Sequence, residues 1–164
     1  MNRSHYRFRS VWELTAPPGA VFTALARAEE YPLWWPQIRE ATRLGPDRGT
    51  VRVRSFLPYE LRVTVGTLRH DPAARVLEAR LTGDMEGWAR WTLTPHHAGT
   101  RAVYEQEVEV RRPLLRRLGP LCRPVFRANH AVMMRAGRRG LEAWVGGFGA
   151  GGGGTVWFSA FPGD

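Results

Sequence analysis

Apolar and polar residues alternate along most of this chain, and near the C-terminus the apolar spacing becomes helical. Residues 6–15, YRFRSVWELT, alternate in the way expected of a half-buried strand. Further strand-like segments follow, and each break between them contains Gly, Pro or Asp, which favours tight turns and antiparallel pairing. These six predicted strands cover residues 37–44, 50–57, 60–70, 75–82, 85–94 and 100–110.

Two short helices are predicted between the first two strands. Pro17 and Pro18 suit a first helical turn, where a missing N–H has no partner to lose, and they start a helix over about 18–30. Pro32 then disfavours helix at the residue before it. A second short helix is therefore expected between Pro32 and Pro36.

Beyond Arg111 the apolar spacing is helical, with arginines opposite the apolar face. Pro124 is expected to kink or split this segment, giving a short helix over 113–122 and a longer one over 124–145. The long helix would cover the apolar face of the sheet. Its predicted apolar side contains Leu114, Leu115, Leu118, Leu121, Cys122, Val125, Phe126, Val132, Met133, Ala136 and Trp144.

Composition narrows the classes of protein to which the chain can belong. No apolar run approaches the roughly 18 residues that span a membrane, and the basic start is not followed by the apolar core of a signal peptide, so a cytoplasmic location is expected. Cys122 is the single cysteine, which excludes an intrachain disulfide and a thiolate metal cluster. The net charge is +9 with every basic residue an arginine, which indicates genomic base bias rather than a function.

The C-terminal residues differ in composition from the rest. Seven glycines lie within residues 146–154, which is incompatible with a stable helix and predicts a flexible linker. Gly147, Gly149 and Gly152 have the spacing of a dinucleotide-binding motif, but they lack the strand before and the helix after that the motif requires. The chain is therefore divided into a domain over 1–145 and a Gly-rich tail over 146–164.

Two segments of the chain resemble a known superfamily. The stretch 11–38, VWELTAPPGAVFTALARAEEYPLWWPQI, followed by 99–110, GTRAVYEQEVEV, and a long amphipathic helix, resembles the START-like superfamily, also called SRPBCC. Within it the likeness is to the polyketide cyclase/dehydrase and lipid-transport group, and it covers about residues 5–145. The resemblance implies an α+β helix-grip fold, in which a seven-stranded antiparallel curved sheet wraps around a long C-terminal helix, with two short helices after strand one.

Proteins of this fold enclose a cavity between the curved sheet and the C-terminal helix, with the second short helix at one end. Trp34 and Trp35 are expected to line the ligand entrance there, or alternatively to seal the core. Inward strand positions are mostly apolar, so a hydrophobic ligand is expected. The predicted ligand-binding residues are Trp34, Trp35, Ser55, Tyr59, Trp91, Tyr104, Gln106, Phe126, Asn129 and Met133.

The polar exceptions in this apolar set are the candidates for chemistry. Asn129 falls within the apolar stripe of the last helix, where an unpaired carboxamide costs roughly 1 to 3 kcal/mol and needs a ligand, a water or a neighbouring side chain as partner. His130 falls at the edge of the stripe, where a pKa near neutrality would let it shuttle a proton, or where it is simply partly solvated. Tyr59, Tyr104, Asn129 and His130 are the candidate catalytic residues, and neither a metal nor a cofactor is predicted.

Three functions remain open at this point. The first is binding of a hydrophobic small molecule such as a polyketide, lipid or isoprenoid. The second is an aromatase/cyclase that closes a ring by aldol chemistry and dehydration on a chain carried by an acyl carrier protein, although the inward set lacks a carboxylate. The third is a lipid carrier that docks anionic membranes through its Arg-rich helix, whereas no motif indicates specific nucleic-acid binding.

Overall fold

Seven antiparallel strands form one sheet in the order β1-β7-β6-β5-β4-β3-β2. The computed structural model describes residues 5–117 and 119–147. Strands β2 to β7 pair with their neighbours in sequence, as the turn residues predict, so the meander is confirmed. The strands are β1 His5–Leu14, β2 Ile38–Arg43, β3 Arg48–Val53, β4 Leu61–Asp71, β5 Val76–Gly83, β6 Met85–His96 and β7 Gly99–Val110.

The first strand closes against the last one. Strand β1 pairs with β7 along its whole length, from His5 opposite Glu109 to Leu14 opposite Thr100. Register shifts occur in β2 between Ile38 and Glu40 and in β4 between Thr67 and Arg69. Such irregularities bend a strand and increase its local twist.

Two short helices follow β1, as predicted. Helix α1, Pro18–Ala26, starts directly after Pro17, whose carbonyl accepts a hydrogen bond from the Ala20 N–H at 3.1 Å. It ends earlier than the predicted residue 30, because Arg27 has non-helical backbone angles of φ −96° and ψ 71°. A 3-10 turn over Ala28–Glu30 leads into α2, Tyr31–Trp34.

Two helices follow the sheet, and the break between them differs from the prediction. Helix α3 is Pro113–Arg117 and helix α4 is Gly119–Gly147. The expected boundary between two helices at Pro124 is wrong, since α4 begins at Gly119 and continues through this proline. Pro120 lies in the first turn of α4, where a proline is accommodated. Helix α4 also includes Gly146 and Gly147, where the predicted tail begins, while residues 148–164 lie outside the described part.

Helix α4 packs on the core with a narrower face than predicted. Met134, Gly137 and Leu141 are buried, and Leu141 is fully enclosed. The prediction of Leu121, Val125 and Val132 on the buried side is wrong, because apolar residues surround this part of the helix and its sequence does not show which side faces the sheet. The predictions for Leu114, Leu115 and Leu118 fall on side chains outside the described part.

Helices α2 and α4 touch at glycine positions. A Cβ on Gly140 would lie 1.7 Å from the backbone carbonyl oxygen of Trp34, and a Cβ on Gly137 would lie 2.5 Å from Cε2 of the Trp35 ring. No side chain can occupy either space without moving α2. The two tryptophans therefore sit directly on the backbone of α4, within the main core cluster that also contains Trp12, Leu25 and Leu141.

This contact predicts that Gly140→Ala destabilises the fold. The added methyl overlaps a backbone atom rather than a flexible side chain, so we expect the free energy of unfolding to fall by about 1–3 kcal/mol. Urea denaturation followed by circular dichroism measures the change. Gly146→Ala is the control, since a Cβ there meets nothing within 4 Å, and alanine raises helix propensity. Equal effects of the two substitutions would contradict the close contact.

Candidate functional site

A cavity of about 200 Å³ lies between the sheet and α4. This is larger than the roughly 150 Å³ that holds benzene in an engineered apolar cavity, so a ligand of more than one ring can fit. The wall is formed by the sheet, the loop 54–60, α2 and one side of α4. Much of it is aromatic, from Tyr6, Phe8, Tyr31, Trp35, Tyr59, Trp91, Tyr104 and Phe126.

Most of the residues expected to bind a ligand lie on this wall. The structure brings together Trp35, Tyr59, Trp91, Tyr104, Gln106, Phe126, Asn129 and Met133, and His130 joins them. Trp34 and Ser55 are not among the lining residues. Strand parity predicts an inward Ser55, but β3 ends at Val53, so parity does not apply to the loop that follows. A role in binding stays a prediction for every residue of the set.

The adjacent tryptophans have different positions. The Trp35 indole lines the cavity and donates a hydrogen bond from Nε1 to the Met133 carbonyl at 2.9 Å. The Trp34 ring is buried against Tyr31 and Trp35, with centroid distances of 4.9 and 5.5 Å. Trp34 thus seals the core, whereas Trp35 both seals it and forms one end of the cavity.

Several wall residues were missed at the level of sequence. They are Tyr6, Phe8, Ala28, Tyr31, Ile38, Val51, Met85 and Val110. Tyr6 and Phe8 carry a usable signal, because they alternate in β1 on the same side as Trp12 and Leu14, which are buried. Strand pairing of β1 with β7 places Phe8 opposite Gln106, so the inward positions of the two strands adjoin.

Two polar atoms on the apolar wall have no hydrogen-bond partner among the described residues. They are Oδ1 of Asn129 and Nε2 of His130, both buried on the inner side of α4. The His130 ring stacks on Phe8 with a centroid distance of 3.9 Å and an interplanar angle of 10°. Loss of hydration by burial lowers the pKa of His130 to about 4. This excludes the alternative in which His130 has a pKa near neutrality and shuttles a proton, and the imidazole is uncharged at pH 7.

The tyrosines of the wall also stay uncharged. Burial raises the pKa of Tyr59 to about 12 and raises the pKa of Tyr31 and Tyr104 further. The Tyr31 hydroxyl donates to the Leu25 carbonyl. Tyr59 and Tyr104 therefore keep their hydroxyl protons and can donate hydrogen bonds to a ligand oxygen.

The wall has no formal charge within the described part of the chain. Its residues include neither Asp, Glu, Lys nor Arg. In residues 5–117 and 119–147 there is also no cluster of three His, Cys, Asp or Glu side chains able to hold a metal. The wall therefore provides uncharged hydrogen-bonding groups within an aromatic enclosure.

The sheet order, the α4 packing and this cavity define a protein of the START-like, helix-grip class. The chain belongs to the polyketide cyclase / dehydrase and lipid transport family, whose sequence model matches residues 5–145. None of the curated proteins compared with the sequence matches it. Among the described helices none is long and apolar enough to cross a membrane.

Solved structures support the same fold at low sequence identity. A protein from Thermus thermophilus is 19% identical with a TM-score of 0.71, covering 87% of this chain and 97% of its own. A START superfamily protein from Mycobacterium smegmatis is 16% identical with a TM-score of 0.66, covering 87% and 97%. The Zhui aromatase/cyclase from a Streptomyces species is 16% identical with a TM-score of 0.65, covering 87% and 93%.

The lowered pKa of His130 predicts a specific pH dependence of stability. An imidazole in the unfolded chain has a pKa of about 6.5, so between that value and about 4 the unfolded state binds more protons than the folded state. The free energy of unfolding therefore falls as the pH falls through this window. Between pH 7 and 4.5 the free energy of unfolding, measured with urea, should decrease by about 2 kcal/mol less in His130→Phe than in the unmodified protein. A His130 imidazole that titrates near 6.5 by NMR in the folded protein would contradict this.

Proposed function

We propose that the protein binds an uncharged, hydrophobic small molecule, such as a polyketide, lipid or isoprenoid, in the cavity between the sheet and α4. The observation that carries this proposal is the pair of polar atoms without a partner among the described residues, Asn129 Oδ1 and His130 Nε2, within an aromatic wall. A buried polar atom without a partner costs roughly 1 to 3 kcal/mol. A ligand that donates a hydrogen bond to one of these atoms offsets that cost.

The absence of charge on the described wall favours a neutral ligand. A carboxylate or ammonium group would lose its hydration on entering and would gain no opposite charge in return. Aromatic rings stack well on flat apolar ligands. The combination selects a molecule with an apolar, preferably planar body and a hydroxyl or similar donor near Asn129.

The first test compares probes that share a ring system and differ in one group. We expect 2-naphthol to bind more tightly than naphthalene, since its hydroxyl can donate to Asn129, and 2-naphthoate to bind most weakly because it is charged. Asn129→Leu should reduce the affinity for 2-naphthol about tenfold and leave naphthalene binding unchanged. Isothermal titration calorimetry measures each affinity.

The matched control for this test is Ala131→Leu, which adds the same side chain at an exposed position of α4. It should leave both affinities unchanged. Preferential binding of 2-naphthoate, or equal loss of both neutral probes in Asn129→Leu, would contradict a neutral ligand held by this carboxamide.

A second candidate function is aromatase/cyclase activity. It is supported by the likeness to the Zhui aromatase/cyclase and by the protonated hydroxyls of Tyr59 and Tyr104 at the cavity. Ring closure needs a poly-β-ketone chain to be held folded, one carbonyl to be polarised by a hydrogen-bond donor, and water to be lost afterwards. A tyrosine hydroxyl can polarise the carbonyl, whereas His130 is a weak base because burial lowers its pKa.

The cyclase candidate predicts turnover of a polyketide chain attached to an acyl carrier protein. Tyr59→Phe should lower the rate of ring formation about 100-fold by removing a donor. Tyr31→Phe is the control, because its hydroxyl already donates to the Leu25 carbonyl and should not contribute to the rate. Analysis of products by liquid chromatography and mass spectrometry measures both variants. Product formation that is equal in the presence and absence of the protein would exclude this candidate.

A further inference from the structure

The positive charge of the protein is concentrated in one segment. Residues 111–139 contain nine of the 24 arginines and none of the 15 Asp and Glu residues. The remainder of the chain has equal numbers of Arg and of acidic residues, so the whole net charge of +9 belongs to this segment. It forms α3 and the first two-thirds of α4.

Most of these arginines face outward. Arg116, Arg117, Arg127, Arg135 and Arg139 are exposed. Within the segment, Arg111 forms ion pairs, with Glu86 and Glu109. The five exposed arginines form none of the ion pairs found among the described residues, and most of those pairs are on the sheet. The segment therefore presents a field that attracts anions.

Exposed apolar residues lie between these arginines. Leu121 is 90% exposed, Val125 is 40% exposed and Val132 is 41% exposed, and Ala128 is exposed as well. Their spacing of four, three and four residues places them along one line on α4. We name this line the outer strip: Leu121, Val125, Ala128 and Val132. Arg116 and Arg117 precede it in the chain, and Arg135 and Arg139 follow it.

We propose that α3 and the outer strip dock on the surface of an anionic lipid bilayer. A helix with an apolar stripe rimmed by basic residues lies in the interface, with its apolar side chains among the acyl chains and its basic groups at the phosphates. Leu121 and Arg139 lie on the same side of α4 and about 27 Å apart along it, and a surface of this length suits a plane of phosphates better than a single anionic site. A nucleic acid would pair with the arginines but would leave the outer strip in water.

The docking surface is on the same helix as part of the cavity wall. Phe126, Asn129, His130 and Met133 line the cavity from a side of α4 that is about 120° around the axis from the outer strip. The loop 54–60 reaches this end of the cavity through Tyr59, whose ring centroid is 6.3 Å from that of Phe126, and exposes Phe56. Docking thus brings the cavity within about one helix diameter of the bilayer. Transfer of a ligand from the bilayer would rest on the proposed binding function, whereas docking itself does not.

The test is sedimentation of the full-length protein with vesicles. We expect binding to vesicles that contain phosphatidylglycerol, about tenfold weaker binding to pure phosphatidylcholine, and weakening by added salt. Leu121→Gln with Val125→Gln should reduce binding to the anionic vesicles about tenfold. Arg116→Gln with Arg117→Gln should reduce it by a similar factor.

Two control variants match these changes elsewhere on the surface. Leu44→Gln with Leu68→Gln alters two exposed leucines at a turn and on β4. Arg39→Gln with Arg80→Gln removes the same charge from exposed positions of the sheet. Both should bind anionic vesicles within about twofold of the unmodified protein. Circular dichroism confirms that each variant is folded.

Several results would overturn the proposal. One is vesicle binding that Leu121→Gln with Val125→Gln leaves intact, since charge alone would then explain it. Others are tighter binding to duplex DNA than to anionic vesicles at equal salt, a dimer that dissociates in the same variant, and loss of vesicle binding on deletion of residues 148–164. Affinity for 2-naphthol in the Leu121 and Val125 variant should be unchanged, so failure of docking and failure of the cavity function are distinguishable.

Discussion

The position of α4 over the sheet depends on the contact between the Trp34–Trp35 pair and two glycines. Gly140 accepts the backbone of Trp34 and Gly137 accepts the Trp35 ring at distances that no other residue allows. The hydrogen bond from Trp35 Nε1 to the Met133 carbonyl fixes the rotation of the helix at the same place. Because one residue corresponds to about 100° of rotation, this contact decides that Asn129 and His130 face the cavity while Val125 and Val132 face outward.

The parts of this fold that could be predicted from sequence are those with a regular period. Strand parity placed Trp91, Tyr104 and Gln106 correctly on the cavity wall, because alternate residues of a paired strand share a face. The same reasoning failed for Ser55, which lies after the end of β3, where the period of two no longer applies. Helical spacing failed to predict the exposure of Leu121 and Val125 for another reason. A helix that is apolar on both sides carries no signal for its orientation, and the orientation comes from glycines whose role appears only in the packing.

Helix α4 thus has apolar residues on two sides that are about 120° apart, and each side has a different environment. The inner side meets aromatic rings of the sheet, which bury it in the way expected of a helix that covers a core. The outer side is not covered by any part of the chain that the structure describes. Exposed apolar residues that occur singly need no explanation. A continuous line of them among basic side chains is typical of surfaces that bind a membrane. One helix therefore links the enclosed cavity to the exterior.

Burial acts on every ionisable group of the cavity wall in the direction of neutrality. It lowers the pKa of His130 to about 4 and raises the pKa of Tyr59 to about 12, so these two groups move further apart in acidity than they are in water. Transfer of a proton from the Tyr59 phenol to the His130 imidazole becomes strongly unfavourable. A hydrogen bond from Tyr59 or Tyr104 to a ligand oxygen costs little. A wall of this kind holds a neutral molecule without exchanging protons with it. Any ring closure here would have to depend on folding of the substrate and on polarisation of its carbonyl, with the acidic C–H supplied by the substrate itself.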